Sequence, residues 1–356
     1  MPLSEDLPPL TPAPDADLIA LPKTHLHLHF TGSMRRQTML ELAQEQGVRL
    51  PYHLLEQDPL SVPADARGWF RFQRSYDAAR NLVRSEETMR RVVRETAEDE
   101  AAEGSVHLEL QVDPTTYAQW VGGLTPALEI VLDEAKQATA DTGVDIAVIV
   151  AASRTRHPLD ARVLARLAAK YAGDQPGEVV GFGLSNDERV GDTAAFSNAF
   201  QIAKRAGLAA VPHGGELLGP ESVRAVVSHL APRRLGHGVR SVEDPELLER
   251  LVKDDIAFEI CPVSNVQLGV FQEQAQVPLR TLVDAGATVA LGADDPLLFR
   301  SRLADQYQAA RTAHGFSDTE IADLAKSSIR AAFASDTKKR EWSAEVDEWL
   351  ASRKAA

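Results

Sequence analysis

Eight short runs with β character, separated by longer stretches with helical spacing, constrain this chain more than any other feature. The runs lie at 24–30, 105–112, 145–152, 179–184, 209–213, 234–237, 257–261 and 288–294. Ala, Leu, Glu and Arg recur at helical intervals between them, as in 160–171 and 194–206. A strand followed by a helix, repeated eight times, favours a closed parallel (β/α)8 TIM barrel. The competing arrangement, a doubly wound open sheet, would carry a glycine-rich phosphate loop after an early strand, and no G-x-G-x-x-G or Walker pattern is present. The expected organisation is a flexible, proline- and acid-rich N-terminal arm over 1–18, a barrel over 19–340 and a C-terminal helix over 341–356. The first two runs are about 75 residues apart, far beyond an ordinary connection. Residues 32–104 are therefore expected to form a helical insertion leaving the C-terminal end of the first strand, a candidate lid over a barrel mouth. Its aromatic residues Trp69, Phe70, Phe72 and Tyr76 are candidates for lining a pocket.

The charge balance narrows the partners. A formal net charge of -14 over 356 residues opposes binding to phosphate backbones or anionic membrane surfaces, both of which need Lys and Arg. No nucleic acid and no membrane are expected. The single cysteine, Cys261, allows no internal disulfide and fits a reducing cytoplasm. The opening residues Pro2, Leu3, Ser4, Glu5 and Asp6 carry no basic or apolar leader pattern. The expected location is cytoplasmic and the expected partner a small molecule, with homo-oligomerisation left open.

The chemistry-bearing residues gather at the C-terminal ends of the strand candidates. The first run holds His25, His27 and His29, which strict alternation would place on one face. The fifth ends in His213, followed by Gly214, Gly215 and Glu216; the sixth ends in His237; the eighth ends in Asp294 and Asp295. At one barrel mouth these supply several histidines and a carboxylate, a set suited to one Zn2+ with a position left for water. In such a site Glu216 can carry a proton, His237 can orient or deprotonate the water, and Asp295 can share a hydrogen with the substrate.

In this order the motifs resemble the adenosine deaminase family of the amidohydrolase barrels. They are Leu21-Pro-Lys-Thr-His-Leu-His-Leu-His-Phe-Thr-Gly-Ser33, Glu109 through Pro114, Ser185-Asn-Asp-Glu188, His213-Gly-Gly-Glu216, Gly236-His-Gly238, Cys261-Pro-Val-Ser-Asn265 and Asp294-Asp-Pro296. The other zinc deaminase class needs several cysteines, which this chain lacks. The resemblance implies His27, His29, His213 and Asp294 as zinc ligands, and Glu216 as the residue that protonates purine N1 while hydroxide attacks C6. It implies His237 as the group orienting the hydroxide, Asp295 as the partner of N7, and the backbone of Asn186 facing N3. The implied reaction is deamination of a 6-aminopurine with loss of ammonia.

Several positions depart from the family pattern. His25 stands where Glu is common, Gln111 where Arg is common, Gly214 where Ala is usual and Asn186 where Gly is usual. Thr31 stands where adenosine deaminases carry an Asp that contacts the ribose 5′-hydroxyl and the adenine deaminase branch tends to carry Glu. A neutral, smaller residue there points to a 5′-modified adenosine, with 6-aminodeoxyfutalosine of menaquinone synthesis as the favoured substrate and adenosine as the alternative. Arg71, Arg74 and Arg80 are candidate counter-charges for its carboxylate. A different metal hydrolase would not need Glu216, His237 and Asp295 together. A non-catalytic binding protein would be expected to have lost one of them or a ligand.

Overall fold

The computed structural model describes residues 14–355. Its eight strands are β1 (Lys23–His29), β2 (Ser105–Val112), β3 (Asp145–Ser153), β4 (Val179–Ser185), β5 (Ala209–Gly214), β6 (Arg234–His237), β7 (Ala257–Ile260) and β8 (Val289–Leu291). Every neighbouring pair is parallel and the order follows the sequence. A bridge between Leu28 and Asp294 joins the last strand region to the first, with His29 N donating to Asp294 O and Asp294 N to His27 O. The sheet is thus a (β/α)8 barrel.

Alternation along the strands divides the core. Leu108, Leu110, Val112, Ile146, Val148 and Val150 join the large apolar layer between barrel and helices. Their neighbours Ala147 and Ile149 meet Val180, Val211 and Phe333 in a small separate cluster, the filling of the barrel interior. Below the mouth that interior also holds charge. Arg234 is paired with both Glu109 and Glu259, each fully buried, and its guanidinium lies 3.9 Å from the centre of the Phe333 ring.

β8 is shorter than the sequence suggests, ending at Leu291 rather than continuing to 294. Beyond Leu291 the chain keeps only the bridge to Leu28, at Asp294, which adopts φ +63°. It passes so close to β1 that a Cβ on Gly292 would lie 2.7 Å from His27 Cβ.

The long first connection contains the helices Arg36–Glu45, Tyr52–Leu55, Ala66–Arg80 and Glu86–Ala102. Asp65 caps Ala66–Arg80 through Gly68 N, and Ser85 with Thr88 forms a capping box on Glu86–Ala102. Part of the arm expected over 1–18 lies outside the described residues. Residues from 14 onward are packed: Leu18 is buried, and Asp15 and Asp17 pair with Arg311. The final helix, Asp336–Ala355, is not uniformly polar, since Trp342, Val346 and Trp349 are buried. Among the described residues no helix is long and apolar enough to cross a membrane.

Candidate active site

β1 does not present its three histidines on one face. The β1–β2 register slips by a residue between His25 and Leu28, the mark of a bulge. His25 pairs with outward-facing Leu108, and His29 with inward-facing Gln111. His25 Nδ1 therefore donates to Glu100 of helix Glu86–Ala102 at 2.8 Å, while Ala293 N donates to its Nε2 at 2.9 Å. It ties the insertion to the barrel rather than joining the cluster.

His27, His29, His213 and His237 do converge. Their ring centres lie 4.8 to 5.3 Å apart in five pairings. Asp294 Oδ1 sits 3.1 Å from His29 Nε2 and 3.3 Å from His27 Nε2. Its Oδ2 accepts from Ser264 Oγ at 2.6 Å. His27 Nδ1 is held by Glu259 at 2.7 Å, so its Nε2 is the nitrogen aimed into the cluster. The Nε2 atoms of His27 and His213 are buried without a hydrogen-bond partner. His27, His29 and His213 offer nitrogens within 4.8 Å of one another, and so do the ligand atoms of His27, His237 and Asp294. Unpaired imidazole nitrogens around a carboxylate, one imidazole oriented from behind by another carboxylate, fit a divalent metal of the zinc type.

The backbone at this mouth is unusual. Six non-glycine residues among those described have positive φ, and Asn186, His237 and Asp294 are three of them. Such conformations are retained where the surroundings enforce them, most often at functional sites.

Glu216 follows β5 in a loop that another carboxylate organises. Glu188 accepts from the backbone N–H groups of Gly215, Glu216, Leu217 and Leu218 and from Ser222 Oγ, at 2.5 to 3.0 Å. Glu216 Oε1 has no hydrogen-bond partner and lies 3.6 Å from His237 Nε2. Burial, reinforced by the charges of Asp294 and Glu188, raises the Glu216 pKa well above the usual carboxylate range. Burial and Asp294 do the same to Asp295, whose Oδ1 is also unpaired. Burial pushes His237 down to about 3. For His27 burial opposes the charge, but Asp294 and Glu259 outweigh it and raise the pKa to about 10. Two carboxyls whose charge is disfavoured and an imidazole whose protonation is disfavoured therefore face a centre that attracts positive charge.

These groups form the floor of a cavity whose wall includes Trp69, Phe72, Tyr76 and Arg80 of the insertion. Phe70 is instead two-thirds exposed, and Arg71 and Arg74 face solvent. Asn186 is on the cavity wall. Thr31 is fully buried and bonded to Tyr117 Oη at 2.5 Å. Tyr117, not Thr31, is the residue on the cavity wall.

The sequence model of the family described as adenosine deaminase matches residues 22–349. This chain belongs to the adenosine deaminase family. It is a hydrolase acting on C–N bonds. A Streptomyces virginiae protein named, provisionally, adenosine/adenine deaminase is 56% identical over 94% of this chain and 98% of its own length. An adenine deaminase of Rhizobium meliloti is 35% identical over 89% and 95%. The solved adenine deaminase from Arthrobacter aurescens superposes with a TM-score of 0.84 at 28% identity, covering 93% of this chain and 99% of that one.

For a deaminase family member, several supporting residues escape sequence reasoning. Glu259 lies in the middle of a short buried strand, where nothing in its neighbourhood signals contact with His27 of β1, 232 positions away. Arg154 donates to His213 O at 2.6 Å across 59 positions. Ser264 and Asn265 fall within a recognised motif, but only their hydrogen bonds to Asp294 and His237 reveal what they hold.

Proposed function

We propose that this protein carries out hydrolytic deamination of a 6-aminopurine: water adds at C6, the C6–N bond breaks and ammonia leaves. The observation carrying this reading is a buried Glu216 carboxyl with an unpaired oxygen beside His237 at the floor of a cavity, facing the His27, His29, His213 and Asp294 cluster. One zinc ion held by those four residues would supply water acidified to near neutral pH.

The remaining steps belong to the chain. Purine N1 and N7 are acceptors only, so each needs a donor. Glu216, protonated, gives its proton to N1 as the ring takes up charge, and the two protons of the added water then restore Glu216 and convert the departing amine to ammonia. Asp295, also kept protonated, donates to N7. Asn265 Nδ2 lies 3.4 Å from His237 Nδ1, favouring a proton on Nε2, and that N–H orients the attacking oxygen. The backbone N–H of Asn186 faces N3. The lid aromatics exclude water and stack on the base.

The favoured substrate is an adenosine, with a 5′-modified one such as 6-aminodeoxyfutalosine first. Arg80 on the cavity wall offers a counter-charge. Free adenine is the second reading, supported by the relatives named adenine deaminases. Zinc-loaded protein should be assayed side by side on adenine, adenosine, 5′-methylthioadenosine and 6-aminodeoxyfutalosine, following the purine spectrum and ammonia. A kcat/KM at least about tenfold higher for 5′-modified nucleosides supports the first reading. Preference for adenine replaces it with the second, and no turnover of any compound overturns the deaminase.

A further inference from the structure

The buried side-chain atoms left without a partner along the cavity wall fall into two groups. His213 Nε2, Glu216 Oε1 and Asp295 Oδ1 belong to the reacting centre just described. Gln111, the cross-strand neighbour of His29, is not among them. Among the described residues it alone has both side-chain polar atoms, Oε1 and Nε2, buried and unpaired. It is 2% exposed. A buried amide with neither atom bonded is unfavourable relative to the same group in water, so such a residue calls for a partner that arrives from outside.

Its position says where that partner is. Gln111 is in register with His29 on β1 and with Ile149 on β3, both inward-facing. It shares a stretch of cavity wall with Asp113, Tyr117 and Ser153. Its chemistry says what the partner is. An amide sets a donor beside an acceptor and carries no charge, so it complements a group that both donates and accepts. The purine edge could offer such a pair, but under the deaminase reading N1 is taken by Glu216 and N7 by Asp295. The amide, being uncharged, does not select an anion. A sugar hydroxyl meets both demands.

We infer that Gln111 reads a ribose hydroxyl of the substrate and thereby selects nucleosides over the free base; this rests on the deaminase reading above. The family pattern of an Arg here would present only donors. The Gln supplies an acceptor as well, and a site built to bond a hydroxyl rejects substrates lacking it.

The test compares wild type with Gln111→Met, which keeps length and removes both polar atoms, and with Gln111→Glu, which keeps only acceptors. Zinc content and thermal midpoint are measured for each. Adenosine, 2′-deoxyadenosine, 3′-deoxyadenosine, 5′-deoxyadenosine and adenine serve as substrates. The expected result is a fall of about 10- to 100-fold in the ratio of kcat/KM for adenosine to that for adenine in Gln111→Met. The deoxynucleoside lacking the hydroxyl that is read should be slow with wild type and lose little more on substitution, which identifies the position. Equal losses on adenosine and adenine would show a merely structural residue and overturn the inference, as would an unchanged ratio. Wild type that turns over adenine but no nucleoside overturns it while leaving the deaminase reading intact. Wild type inert on every compound overturns both.

Discussion

Single side chains here draw their properties from their surroundings. Glu216 is a common carboxylate with an uncommon environment, buried beside Asp294 and Glu188, so it holds its proton where an exposed Glu would not. Glu216→Gln keeps the shape and hydrogen-bonding capacity but cannot release a proton. Its expected effect is a loss of about 10²- to 10⁴-fold in kcat with zinc retained, measured by spectral assay and metal analysis of the same sample. Loss of the metal together with activity would instead make Glu216 a ligand. Residue type and position at strand ends were enough to nominate Glu216, His237 and Asp295. They did not supply their protonation states, which come from burial and neighbouring charge. For Thr31 the sequence names no partner, and the structure bonds its hydroxyl to Tyr117.

At the scale of elements, the strands deliver side chains to the mouth and the buried charges beneath lock the strands together. Glu109 on β2, Arg234 on β6 and Glu259 on β7 form one continuous set, which reaches His27 on β1 through Glu259 and His107 through Glu109. Burial disfavours the charge on Glu109, yet Arg234 and His107 hold its pKa down at about 2. A carboxylate depressed below its unfolded value near 4.5 contributes stability above that pH and loses it as pH falls toward 2. Urea unfolding should therefore weaken steeply through that window. Glu109→Gln should start about 3–5 kcal/mol less stable at pH 7, because Arg234 loses a buried partner, and should show a shallower acid loss. Parallel pH slopes for the two proteins would rule this account out. The eight strands were legible from short apolar runs because each is buried on both faces. The bulge that turns His25 outward was not, since a slip in register depends on the partner strand and leaves no local signature.

For the whole molecule, the insertion after β1 makes a barrel mouth into a pocket. Phe72 stacks on Phe299 with ring centres 5.8 Å apart and an interplanar angle of 6°, joining helix Ala66–Arg80 to the segment after β8. Phe72→Ala should cost about 3–5 kcal/mol at that junction and raise KM more than it lowers kcat, as seen by steady-state kinetics and thermal unfolding. An unchanged KM would mean that the wall does not contact substrate. The amino-acid sequence by itself determined the alternation of eight strands and helices, the place of the insertion, and which histidines and acids stand at strand ends. These follow from local patterning and chain order, which folding does not alter. Only the tertiary structure decided that His25 serves the insertion, that Tyr117 covers Thr31, that Gln111 is left unpaired at the cavity, and that Glu259 and Glu188 brace the site. Each of those is a contact or an absence of contact between segments far apart in the chain, and the barrel must close before such neighbours exist.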